Sequence, residues 1–177
     1  MSKIHVVIPT HNRKGLAEAC LRQVFAQSII DSMTVTVVDD GSSDGTADML
    51  AAQFPAAHVI AGDGTLWWTG AVAKALDAMR PSFAANDFFL LVNDDTLMQP
   101  NTVEVLVRES ARTGRAGVAP IAVDASSGRA ISTGWGPGSG VILNDLNALQ
   151  AVLGKQDGLY EVRTLFGRCS LFPVEIL

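Results

Sequence analysis

The chain has 177 residues, 48% of them hydrophobic and 18% charged, with a formal net charge of −5. That length suits one domain with a sizeable core, and the composition excludes a disordered chain. The acidic balance argues against nucleic-acid binding, which needs clustered Lys and Arg; the nearest clusters are Arg108/Arg112/Arg115, which reads as a solvated helix face, and Arg163/Arg168.

Strand and helix signals alternate along the chain, the pattern of an α/β protein with a mostly parallel sheet. Ile4 to Ile8 is a β-branched run ending at Pro9 and reads as a buried parallel strand. Asn12 is placed to cap the following helix, on which Leu16, Cys20, Leu21 and Val24 share a face. A second strand, Thr34 to Val38, runs into Asp39-Asp40-Gly41-Ser42, which cannot continue a strand, and a helix is expected from Thr46 to Gln53. Val59 to Ala61 is a short third strand, broken by Gly62-Asp63-Gly64. Val72, Ala75, Leu76 and Met79 mark an amphipathic helix over Thr69 to Arg80, stopped by Pro81. Phe88 to Val92 is fully apolar and is expected at the sheet centre, followed by a helix over Thr102 to Thr113 and a strand over Ala116 to Val123. Later, Gly134, Gly136, Gly138 and Gly140 mark a loop, and Leu159 to Leu171 reads as one or two strands broken at Gly167. The apolar end at Phe172 to Leu177 suggests a chain cut inside its natural domain.

Cys20 and Cys169 lie too far apart for a zinc motif or a disulfide framework, and each reads as a small core residue. No segment reaches the ~18 apolar residues of a membrane span, and the start lacks a signal peptide's apolar region. The expected location is the cytoplasm, with peripheral membrane attachment left open.

Ligands of an open parallel sheet bind at the carboxyl ends of its strands. Three strands here end in polar clusters: Pro9-Thr10-His11-Asn12-Arg13, Asp39-Asp40-Gly41-Ser42 and Asn93-Asp94-Asp95-Thr96. Carboxylates gathered on one edge repel each other unless they hold a cation or accept hydrogen bonds. Taken singly, the second cluster is also an ordinary turn, and Asn12-Arg13 also an ordinary helix start. Asp94 and Asp95 have no Lys or Arg beside them in sequence. Arg13 is unfavourable for the helix dipole, and an anionic ligand would make sense of it. Trp67 and Trp68 read either as core or as an apolar wall beside a sugar. His5, His11 and His58 show no ligand spacing.

Together these residues resemble family 2 of the glycosyltransferases. IPTHNR (Ile8 to Arg13) is similar to that family's first-strand signature and VVDDGSSDGT (Val37 to Thr46) to its second. TLWWTGAV (Thr65 to Val72) and LLVNDDT (Leu90 to Thr96) resemble a bacterial, rhamnosyltransferase-like subgroup. GRCSLFPVEIL (Gly167 to Leu177) looks like the strand that precedes the acceptor-side helix.

The resemblance implies a GT-A fold: a Rossmann-like, mostly parallel sheet with helices on both faces. Residues 1–115 would form the nucleotide-sugar-binding half, and residues 116–177 the start of the acceptor-side half. Pro9, Thr10, Asn12 and Arg13 would line the nucleotide pocket, Asp39 would accept a hydrogen bond from a pyrimidine ring, and Asp40 would lie next to it. Gly70, Asn93 and Asp94 would belong to the same nucleotide-sugar site. Asp95 would bind Mg²⁺ or Mn²⁺, a hard cation that holds the two phosphates and stabilises the leaving group's charge. Two positions depart from the family: Ala73 and Lys74 stand where much of it has Asn after the Gly70 turn, and Asn93 replaces the first acid of the D-x-D motif.

The implied activity is inverting transfer from a UDP- or dTDP-linked sugar to a glycan or lipid-linked glycan, in cell-surface polysaccharide synthesis. The general base of such a transfer would lie beyond Leu177, so no catalytic residue is named. Two alternatives stand beside it. One is a non-catalytic nucleotide-sugar-binding fragment. The other is a sugar nucleotidyltransferase, disfavoured because no Gly follows the first strand until Gly15. A dinucleotide-binding oxidoreductase is weaker still, since no G-x-G-x-x-G follows any strand.

Overall fold

β1 (Ile4–Thr10) is buried at every position, because its two faces both meet packed helices. In the computed structural model, which describes residues 2–124, 126, 127, 130–132 and 168–177, β1 pairs in parallel with β2 (Met33–Asp39) on one side and β4 (Phe88–Val92) on the other. β3 (His58–Ala61) extends the sheet in parallel beyond β2. A late strand, β7 (Cys169–Pro173), closes the other edge antiparallel to β4. The order is therefore β3-β2-β1-β4-β7.

The alternation of β1 divides its side chains between two cores. Ile4, Val6 and Ile8 pack with Ala17, Cys20, Leu21 and Val24 of α1 (Lys14–Phe25), Met49 and Leu50 of α2 (Thr46–Gln53), and Val103 and Leu106 of α4 (Thr102–Arg112). Val7 packs on the opposite face with Ala71, Ala75 and Met79 of α3 (Trp67–Met79). Each such aliphatic side chain contributes about 1.5–3 kcal/mol on burial. Placing α1 and α2 on one face and α3 on the other is what right-handed crossovers require when the strand order reverses.

Several sequence expectations are met closely: α2 and β4 have the expected bounds. Both thiols are buried, and burial pushes each up to about 12, so both are inert core residues. Other expectations are corrected. β1, not β4, is the central strand, because β2 and β3 lie on one side of it and β4 and β7 on the other. Leu16 is 45% exposed, and Ala17 takes its place on the buried face of α1. The strand expected over 116–123 is broken at Pro120, which lacks an N–H. Val118 makes one isolated bridge to Leu171, and only β5 (Ala122–Val123) pairs, with β6 (Ala130–Ser132) in a separate two-stranded sheet. The glycine-rich loop and the part of the late strand expected before residue 168 lie outside the described residues. Among those residues no helix is long and apolar enough to cross a membrane.

The amino ends of the strands are tied at one buried carboxylate. Asp87 accepts backbone N–H groups from Lys3 (2.8 Å) and Ala84 (2.9 Å) and pairs with the His5 ring at 3.1 Å. Burial alone would raise its carboxyl, but these donors outweigh that and hold it below the ordinary value. Nearby, Arg115 lies over the Phe88 ring, makes a bidentate pair with Glu175 and donates to the Asp87 carbonyl, so the final turn (Val174–Ile176) is pinned to β4.

Asp87→Ala strands two backbone donors and is expected to cost about 2–3 kcal/mol at neutral pH. A carboxyl held low by folding contributes stability above its unfolded value, near 3.9, and that contribution is lost as pH falls through the lower folded value. Urea titrations should therefore show a full gap between wild type and variant above about pH 4 that shrinks below it; an unchanged gap at pH 2 would refute this account.

Candidate functional site

The strand order reverses at β1, so the crevice between the carboxyl ends of β1 and β4 is the topological switch point where an open α/β sheet binds ligands. The two strands are joined across that crevice by side chains. Thr10, the last residue of β1, donates its hydroxyl to Asp94 Oδ2 at 2.8 Å, and Arg13 Nη1 donates to Asp94 Oδ1 at 2.7 Å. Arg13 Nη2 also lies 3.5 Å from Asp95 Oδ2. Burial raises the Asp94 carboxyl, and the Asp95 charge adds to this; Thr10 and Arg13 pull it down only in part. The partner that Arg13 lacks in sequence is thus a carboxylate of this chain, 81 residues away, and Asp94 and Asp95 share one cation. That partner is invisible locally because only the parallel pairing of β1 with β4 brings it near.

The remaining acids of the edge hold backbone. Asp39 is buried and accepts the Ser42 N–H at 3.1 Å. Asp40, also buried, accepts the N–H of Gly64 at 2.9 Å and of Trp67 at 3.0 Å, anchoring the loop after β3 to the end of β2. The two loops touch so closely that no side chain fits between them. A Cβ on Gly41 would lie 2.8 Å from the Gly64 nitrogen, and one on Gly62 would lie 2.3 Å from Asp40 Oδ1.

A tripeptide repeated in the sequence shapes both loops. In Asp44-Gly45-Thr46 and again in Asp63-Gly64-Thr65, the Asp Oδ1 accepts the Thr N–H and hydroxyl, and the Gly has positive φ, 86° and 88°. The Thr hydroxyl bonds are the leading cause that holds both carboxyls below their ordinary value. Asp44 does more: its Oδ2 accepts the Lys14 N–H, so α1 is capped from the β2 loop and not by Asn12. Asn12 has φ 52°, accepts the Ser43 N–H through its own side chain and donates its backbone N–H to the Ser42 hydroxyl oxygen. His11 pairs with the Asp40 carbonyl.

Neither tryptophan of the Trp67-Trp68 pair is in the core. Trp67 is 82% exposed with φ 55°, and Trp68 is 44% exposed and donates its Nε1–H to Asn93 Oδ1 at 2.9 Å. α3 starts here, earlier than the apolar spacing suggests. Gly70 accordingly lies inside the helix, not in a turn, with its N–H on the Leu66 carbonyl. Asn93 is also fixed by its backbone, which donates to the Arg168 carbonyl at 2.8 Å.

The order of the motifs, the switch-point crevice and the acid pair after β4 have a counterpart among known proteins: the pattern of glycosyl transferase family 2 matches residues 5–177. The chain belongs to glycosyl transferase family 2. Its fold is the GT-A glycosyltransferase fold. A mannosyltransferase, PcManGT from Pyrobaculum calidifontis, solved with GDP-Man and Mn²⁺, superposes with a TM-score of 0.67 at 19% identity, over 98% of this chain and 45% of that one. S. aureus TarS superposes with a TM-score of 0.54 at 19% identity, over 75% of this chain and 25% of that one. A shorter form of TarS, residues 1–349, gives 0.54 at 19% identity, over 81% of this chain and 43% of that one. This chain therefore spans less than half the length of these relatives. No curated protein sequence matches it significantly.

The family's implied divalent cation can be tested against these side chains. Among the described residues no three His, Cys, Asp or Glu side chains gather into a metal cage. Both Asp94 oxygens are engaged and the Asn93 carbonyl oxygen accepts from Trp68, which leaves the 33%-exposed Asp95 carboxylate as the available hard ligand. One carboxylate fits a cation that brings waters and phosphate oxygens with it, as Mg²⁺ commonly does.

Gly62→Ala is expected to destabilise the protein by about 1–3 kcal/mol, since Asp40, against which the methyl would press, is held by two hydrogen bonds and buried. Gly15→Ala, with nothing within 4 Å of its Cβ inside α1, should instead stabilise by roughly 0.5–1 kcal/mol. Chemical denaturation of both variants checks the contrast, and faster amide exchange at Gly64 and Trp67 in Gly62→Ala would localise it.

Proposed function

We propose that this family 2 glycosyltransferase domain binds the diphosphate of a nucleotide sugar at the β1/β4 crevice and serves transfer of the sugar to a glycan or lipid-linked glycan, with inversion. The observation that carries the reading is the convergence of Thr10, Arg13, Asp94 and Asp95 at the switch point, with Asp39 paired in register to Thr10 beside them.

In this reading Pro9, Thr10, Asn12 and Arg13 line the nucleotide pocket and Asp39 takes the hydrogen bond of a UDP or dTDP base. Asp40 acts through the backbone it holds, keeping the β3 loop and the start of α3, with Gly70, against the pocket. Asp95 would hold Mg²⁺ or Mn²⁺, which supplies charge stabilisation to the departing diphosphate. Arg13 holds positive charge at the same place. It keeps the buried Asp94 neutralised and offers its half-exposed guanidinium to phosphate oxygens, for which the fork geometry is suited. Asn93 and Asp94 position the loop that carries Asp95. The Trp67-Trp68 segment is the feature that favours the rhamnosyltransferase-like subgroup. The acidic net charge and the one-third-exposed Asp95 carboxylate suit a substrate that arrives with its cation.

Calorimetric titration with UDP, dTDP and GDP, with and without Mn²⁺, tests the reading. One of them should bind with metal dependence, and Asp95→Asn should lower that metal-dependent affinity by about tenfold or more, ~1.4 kcal/mol. Arg13→Ala should weaken nucleotide binding yet strengthen Mn²⁺ binding in its absence, because a competing cation has been removed from Asp95. Absence of heat with every nucleotide would sink the proposal. Nucleotide binding without product from the corresponding sugar would assign a binding module instead of a transferase.

A further inference from the structure

Trp67 is held in a conformation that the fold alone does not explain. Its φ of 55° is one that bulky side chains rarely adopt. An indole 82% exposed to water gains no burial to offset that strain. Yet the position is built with care. The buried Asp40 carboxylate accepts the Trp67 N–H, Gly62 leaves no room for a side chain against Asp40, and Asp63 with Thr65 locks the approach to the helix. The neighbouring Trp68 is tethered to Asn93 on the acid-bearing loop, so the start of α3 adjoins that loop. Strain kept at a site while the strained side chain touches solvent points to a ligand that covers it.

We infer that the Trp67 indole is a stacking platform for the pyranose ring of a sugar, a role that rests on the function proposed above. A pyranose presents an apolar C–H face bordered by hydroxyls. An indole takes the face, and the hydroxyls need acceptors around it. The loop leading into Trp67 supplies these in the exposed Asp63 and Thr65, with Asp95 on the adjoining one. A docked protein would bring apolar surface onto those exposed acids and strip their water without pairing them, which costs free energy. A phosphate stacked on the indole would meet the exposed Asp63 carboxylate, of its own sign, on the loop that leads into it.

The test uses the full chain with Trp67→Ala, Trp67→Phe and Trp67→Gly, probed with nucleoside diphosphates, nucleotide sugars and a panel of neutral oligosaccharides. Trp67→Ala should weaken binding of a nucleotide sugar or of an oligosaccharide by about tenfold, leave the nucleoside diphosphate within about twofold, and be largely rescued by Phe. Loss on the nucleotide sugar places the donor's ring on the indole; loss on the free oligosaccharide places the acceptor's. Trp67→Gly should lose the same binding while its Tm stays equal or rises by roughly 2–4 °C, since glycine relieves the backbone. Equal loss for the nucleoside diphosphate would put a nucleobase on the indole and overturn the inference. So would unchanged affinity for every probe, or a fall in Tm with Trp67→Gly. Trp67-dependent oligosaccharide binding without any nucleotide binding would uphold the platform and reject the donor reading.

Discussion

A carboxylate taken out of water must be met by donors or neutralised, and Asp39, Asp40 and Asp94 are all buried along one edge of the sheet. The structure meets this demand by giving each acid a segment to hold. Asp39 holds the turn at Ser42, Asp40 holds the β3 loop and the start of α3, and Asp94 holds Thr10 and Arg13. The acids that look in sequence like spare negative charge are therefore the framework of the rim. Asp95, with its carboxylate one-third exposed and only a distant contact to Arg13, is the member of the group left to face a ligand.

That framework exists only because β1 lies between β2 and β4. Parallel pairing on both sides brings Thr10 level with Asp39 and carries the chain after β4 to the same edge. The contacts that join one rim loop to another are therefore nonlocal. This explains which parts of the molecule can be read from sequence. The fold class, the bounds of α2 and β4, and the three polar clusters follow from local periodicity and from the ends of apolar runs. The identity of the partners does not. Arg13 and Asp94 are 81 residues apart, and nothing beside either of them announces the other.

Other misreadings have equally local causes. Asn12 has the side chain of a helix cap, but its left-handed backbone turns it toward Ser43, and Asp44 supplies the cap from another loop. The apolar spacing from Val72 onward describes the buried face of α3 but not its first turn, where the adjacent and exposed Trp67 and Trp68 make no helical spacing with it. Strand order is also silent in composition: Phe88 to Val92 is as apolar as a central strand because β7 covers its outer edge. The repeated Asp-Gly-Thr tripeptide was the one strong local signal available for the loops, since Asx geometry and a positive-φ glycine recur wherever it stands.

The loops also close on one another. The β1 loop meets the β2 loop through Asn12 with Ser42 and Ser43 and through Lys14 with Asp44. The β2 loop meets the β3 loop through Asp40 with Gly64 and Trp67. The start of α3 meets the β4 loop through Trp68 with Asn93, and the β4 loop returns to the β1 loop through Asp94 with Thr10 and Arg13. A closed circuit supports each loop from two sides, which is how a site held on loops gains the rigidity usually found only on helices and strands. The circuit is not uniform, however. Its β1–β2 and β2–β3 links are made mostly on backbone N–H groups, whereas both links to the β4 loop join side chain to side chain, and Arg13 and Trp68 are half-exposed. Such contacts reorganise at less cost than backbone ones, so between Asn93 and Thr96, both held to the Arg168 carbonyl, the acid-bearing loop is the part of the rim best able to adjust to what binds there.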